Sequence, residues 1–128
     1  MSDSNIEPAS EPLQVFLPGR QALLVRLTAQ NGQRAALLDL LNTYADGISE
    51  EPGTEMYMVS VDPDDENLVW LYEIFFDEDA EIAHRQSQGF AELMLKLPQY
   101  LDGSPGILRM QPLRMSLQEG VFSEDWGF

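Results

Sequence analysis

"LVWLYEIFFDEDAEIAH", residues 68–84, passes from an alternating apolar stretch into an acidic helix start and ends on the only histidine of the chain. With the two-residue period of a strand, Leu68, Trp70, Tyr72, Ile74 and Phe76 share one face, and Val69, Leu71, Glu73 and Phe75 share the other. Neither face is polar, so the strand is covered on both sides. Asp77 stands where a helix N-cap belongs, and the run "DEDAE" complements the positive end of the helix dipole. Glu73 lies on a dry face, where an unpaired carboxylate is costly or takes up a proton. A helix that returns over the sheet brings His84 to that carboxylate. The pair then reads in two ways, as a general base with a fixed tautomer or as a structural hydrogen bond between helix and strand.

Working outward, "PDDEN" (63–67) is a turn that joins this strand to "TEMYMVSVD" (54–62) as a hairpin. Upstream, Leu37, Leu40, Leu41, Tyr44, Ala45 and Ile48 recur at spacings of three and four, which predicts an amphipathic helix over 33–48. Asn31 is its candidate cap, and Gly47 with "EEPG" (50–53) ends it. "ALLVRLT" (22–28) is short and rich in branched residues, as a buried strand is. Downstream, Ser87 caps a second helical segment carrying Phe90, Leu93, Met94 and Leu97, and Pro98 stops it. A final strand is predicted at "ILRMQPL" (107–113), with Pro112 at an edge or a bulge.

The order βαββαβ predicts an α+β fold of the ferredoxin-like type, an antiparallel sheet with both helices on one face. Its other face is also apolar, which predicts a homodimer with the two sheets face to face. Residues 1–19 read as a mobile N-terminal arm, 20–114 as the folded domain, and 115–128 as a C-terminal extension whose Phe122, Trp126 and Phe128 suggest docking.

The formal charge is −15, from 22 acidic and seven scattered basic residues, which disfavours nucleic acid and anionic membranes as partners. With no cysteine and one histidine, thiolate chemistry is excluded and no metal site is expected; "DPDDEN" and "DEDAE" lack the spacing of an EF-hand. The start has no basic region followed by an apolar run, and a cytoplasmic location is the default expectation. Arg26, in mid-strand, must be paired or face a cavity. Tyr57, Trp70 and Tyr72 are candidates to line an aromatic-binding cavity, against the plainer reading of core or interface.

The stretch from about Ala22 to Leu113 resembles the antibiotic biosynthesis monooxygenase family of small dimeric α+β barrel proteins. "EEPGTEMYMVSVDP" and "YEIFFDEDAEIAHRQSQGF" carry the resemblance, with Glu73, Asp77, Ala80, His84, Ser87 and Phe90 in register with the family signature. The resemblance implies a homodimeric barrel with a pocket between sheet and helices, and oxidation of quinols or phenolic rings by dioxygen without flavin, haem or metal. On that reading His84 takes the substrate proton, Glu73 orients His84, and Tyr72, Trp70, Phe75 and Phe90 wall the ring. "ALLVRLT" has no Asn and no histidine follows His84, which sets the chain apart from the family's haem-degrading branch. Gly89 replaces a second histidine often found there, and Phe75 replaces a Trp. The family also holds non-catalytic members, so a dimeric small-molecule-binding protein is the alternative.

Overall fold

The computed structural model describes residues 12–118. They divide into two units, one spanning Gly19–Gln111 and one formed by the chain on either side of it. Among the described residues the second unit holds two strands, β1 (Leu13–Phe16) and β6 (Arg114–Leu117), paired antiparallel with Leu13 opposite Leu117. Residues 13–16 fall within the segment read from composition as a mobile arm. Here "LQVF" pairs instead, and the Gln14 side-chain oxygen accepts from Arg114 Nε and Ser116 Oγ, both at 2.8 Å. The proposed docking aromatics Phe122, Trp126 and Phe128 lie outside the described residues.

The central unit runs β2 (Gln21–Thr28), α1 (Arg34–Asp46), β3 (Thr54–Val61), β4 (Leu68–Phe75), α2 (Glu78–Arg85), α3 (Gln88–Lys96) and β5 (Gly106–Met110). Short 3-10 turns follow α1 at Ile48–Glu50 and α3 at Leu97–Gln99. The sheet order is β3-β4-β2-β5, every neighbour antiparallel, which is the ferredoxin-like arrangement expected from the order of elements. Ser87 starts a separate helix as read from the sequence: its backbone is extended and its side chain caps α3 by accepting from Phe90 N at 3.1 Å.

The period-two reading of β4 decides which residues meet. Val69, Leu71, Glu73 and Phe75 are all buried and face the helices; Leu68, Trp70 and Tyr72 are half-buried on the opposite face. Leu37 and Leu41 of α1 and Leu93 of α3 close over Val25, Leu27, Val69 and Leu71 as the core. The outer face carries Met58, Leu108 and Met110, each more than a third exposed, beside Leu24, Tyr72 and Trp70.

Two local expectations change. Asn31 does not cap α1; Gln33 occupies that position without a side-chain bond, and Asn31 instead accepts from Asn67 Nδ2 at 2.8 Å. Asp77 caps α2 as read, accepting from Ala80 N at 2.8 Å. That cap seats α2 against the turn before β3. A Cβ placed on Gly53 would lie 2.5 Å from Ala80 Cβ, closer than two carbons pack. Gly53→Ala is therefore expected to lower stability by about 1–3 kcal/mol through overpacking, measured by chemical denaturation. Adding Ala80→Gly should return part of the loss, and purely additive losses would contradict the contact.

Candidate active site

Three elements deliver the polar groups of the site. The turn at 50–53 carries Glu51, β4 carries Glu73, and the last turn of α2 carries His84. All three residues are buried, His84 and Glu73 at 4% and 5% exposure. His84 Nδ1 lies 2.7 Å from Glu51 Oε1, and Glu51 is the orienting partner where Glu73 had been expected. Three hydroxyls crowd the same carboxylate: Tyr44 at 2.8 and 2.9 Å, Thr54 at 3.0 Å and Ser87 at 3.1 Å.

These contacts assign the imidazole's tautomer. Nδ1 has two neighbours, Glu51 at 2.7 Å and the Tyr44 hydroxyl at 2.8 Å. An ionised carboxylate only accepts, so Nδ1 carries the proton and donates it to Glu51, Tyr44 gives its own proton to the same carboxylate, and Nε2 keeps its lone pair. Burial pushes the Glu51 carboxyl up, but the hydrogen bonds from His84 and Tyr44, the charge interaction with His84 and the hydrogen bond from Thr54 together outweigh it and hold the group below the ordinary glutamate value. Glu51 is thus ionised at neutral pH. The ring itself is held between Phe75 and Phe90, whose centroids lie 4.9 and 4.6 Å away.

Nε2 faces Glu73, whose Oε1 is 3.6 Å away, too far for a hydrogen bond and close enough for charge interaction. Burial, followed by the charges of Glu51 and Glu81, pushes the Glu73 carboxyl up to about 7. Both residues line a cavity of about 220 Å³ between sheet and helices, otherwise walled largely by apolar side chains such as Leu23, Val25, Leu71, Phe90 and Leu97. At its rim Glu81, 2% exposed, is neutralised by Arg109 at 2.9 and 3.1 Å and Arg85 at 2.7 Å, which ties α2 to β5.

Of the ring-walling residues named from sequence, Phe90 lines this cavity and Phe75 packs on the imidazole. Trp70 and Tyr72 do not reach it, because alternation along β4 turns them to the opposite face from Glu73; Trp70 Nε1 donates to Asp62 at 3.2 Å instead. Arg26 lies on that outer face as well, with its guanidinium across Gly106. Glu51 and Tyr44 were missed. Tyr44 read as helix stripe, and Glu51, 33 residues from the histidine, read only as part of the turn that ends the first helix.

Ferredoxin-like sheet order and a buried histidine–carboxylate pair beside an apolar cavity define the class. The sequence pattern of the antibiotic biosynthesis monooxygenase family matches residues 21–96, more than half of the chain, and the protein belongs to that family. Among solved structures, it is similar to a protein of unknown function from Nitrosomonas europaea, 31% identical over 79% of this chain and 96% of the other, with a TM-score of 0.68. A Caulobacter crescentus protein described as a candidate antibiotic biosynthesis monooxygenase is 18% identical with a TM-score of 0.71, over 77% and 93% of the two chains. Rv0793 from Mycobacterium tuberculosis is 21% identical with a TM-score of 0.68, over 73% and 95%. No curated protein matches. No helix among the described residues is long and apolar enough to cross a membrane.

The raised Glu73 carboxyl makes stability depend on pH. The folded state holds that proton more tightly than the unfolded chain, so stability falls as pH rises from the ordinary value of 4.5 towards 7. The depressed Glu51 acts in the other window, its contribution being lost as pH drops below 4.5. Glu73→Gln should therefore be more stable than wild type at pH 8, by roughly 2–3 kcal/mol, with the gap nearly closed at pH 5. Denaturant titrations at the two pH values check this; a gap independent of pH would contradict it.

Proposed function

We propose that the protein is a monooxygenase that oxidises a quinol or other phenolic ring with dioxygen, without organic cofactor or metal. One observation carries the reading: His84 is fixed through Nδ1 by an ionised Glu51, with Nε2 turned toward a ring-sized cavity with largely apolar walls. A cavity of ~150 Å³ holds benzene, so about 220 Å³ suits one ring with small substituents.

The chemistry follows from what a phenol needs. A phenol gives up an electron readily only after losing its proton, and Nε2 is the acceptor for that proton. The phenolate passes one electron to dioxygen, and the resulting radicals join at a ring carbon to form a C–O bond to a peroxide. Cleavage of the O–O bond then leaves one oxygen on the ring as a carbonyl and the other as water, with the imidazolium returning its proton to the departing oxygen. For a quinol this sums to quinol plus dioxygen giving hydroxyquinone plus water. The ring supplies all the electrons, so no external reductant enters. The apolar wall keeps water from the radical pair, and Glu73 stands beside the imidazolium as it forms.

The outer sheet face supports a second element of the proposal, a homodimer in which Met58, Leu108 and Met110 are covered by a second copy. Sedimentation should give twice the 14.4 kDa chain mass, and Leu108→Asp should shift the protein to monomer; a monomeric wild type would overturn the dimer.

A non-catalytic binding role has one observation in its favour, the carboxylate of Glu73 only 3.6 Å from the nitrogen that would act as base. Oxygen uptake with a panel of single-ring quinols separates the two. His84→Ala is expected to lower kcat by ~10² or more, and Glu51→Gln to lower it while the fold is retained. Absence of uptake by wild type on every quinol, with the protein folded, would favour the binding role.

A further inference from the structure

Tyr57 lies in the same row across the sheet as the Glu73 carboxylate. It is the register partner of Glu73 on β4, which pairs on its other side with Leu23 of β2, itself opposite Arg109 of β5. All four line the cavity. The Tyr57 hydroxyl is shut off from bulk water and has no hydrogen-bond partner among the described residues. Its ring packs edge-on against Tyr44, with centroids 5.0 Å apart, so the residue is anchored by its aromatic body and its polar tip is left over. A buried hydroxyl without a partner disfavours the fold, and a phenylalanine would fill the same space without that penalty.

Glu73 is the second polar group on this wall without a hydrogen bond among the described residues, and Nε2 of His84 is the third. The residues that carry these three unpaired groups thus all line one ring-sized space with largely apolar walls. Only one of them is needed to take a proton from a phenol. We propose that Tyr57 is a specificity-determining residue whose hydroxyl donates to a second ring oxygen, so that the site selects single-ring diols over monophenols. This deepens the monooxygenase reading of the site and rests on it for the identity of the ring.

The hydroxyl suits that task. Burial, then the charges of Glu73 and Glu51, push the phenol's proton affinity up, so Tyr57 remains a neutral donor throughout the physiological range. A site that pairs a substrate oxygen discriminates against the analogue lacking it, because the protein group is then left bare. Tyr57 touches a non-reacting oxygen on this account, so its loss changes which ring is bound rather than removing the base.

The test is anaerobic titration of the full chain with hydroquinone and with phenol, for wild type and for Tyr57→Phe. Wild type is expected to bind hydroquinone about tenfold more tightly than phenol. Tyr57→Phe should lose that preference with phenol affinity unchanged, and its melting temperature should equal or exceed that of wild type. A preference retained in Tyr57→Phe would overturn the proposal, as would equal binding of the two rings by wild type or a melting temperature several degrees lower in the variant. Because dioxygen is absent, binding is read independently of turnover: failure of the monooxygenase reading alone would appear as the expected preference without oxygen uptake in air.

Discussion

The hydrogen bond from His84 Nδ1 to the Glu51 carboxylate is the contact on which the site depends. A neutral imidazole can present a lone pair at either nitrogen, and without a partner the two tautomers interchange. Here an anion, held by the imidazole and three hydroxyls, accepts at one nitrogen and so leaves the other its lone pair, the base of the proposed reaction. Those hydroxyls come from α1, β3 and the start of α3, so each helix contributes to holding one carboxylate in place. The same residues that pack the helices therefore set the tautomer of the ring.

Glu73 does a different job from the one its position in the strand suggests. It is held near neutrality by burial and by two neighbouring carboxylates, and it sits beside the nitrogen that would gain a proton. Its ionised form favours an imidazolium next to it, whereas its neutral form does not. In the proposed reaction, two carboxylates on opposite nitrogens of one ring separate orientation from charge stabilisation, with Glu51 providing the first and Glu73 the second.

Most of the architecture was legible because it is written in local periodicity. The alternation of Leu68–Phe75, the Asp77 cap and the stripe around Leu37, Leu41 and Tyr44 place strand, helix start and core face before any tertiary contact is known. Alternation also held the information that Trp70 and Tyr72 face away from Glu73; assigning them to the ring site set chemical plausibility above geometry. Glu51 was not legible in the same way. It lies in a turn, where no period applies, and its role comes from a tertiary contact across 33 positions. Gly53, two residues on, is what lets α2 come close enough for that contact.

The central claim can be read directly, because the chain has a single histidine. Long-range ¹⁵N–¹H correlation spectra of uniformly labelled protein at neutral pH distinguish the two neutral tautomers and the imidazolium. The account predicts one imidazole protonated at Nδ1 and bare at Nε2, with that pattern lost in Glu51→Gln. An Nε2-protonated ring in wild type, or a pattern unchanged by the substitution, would contradict it.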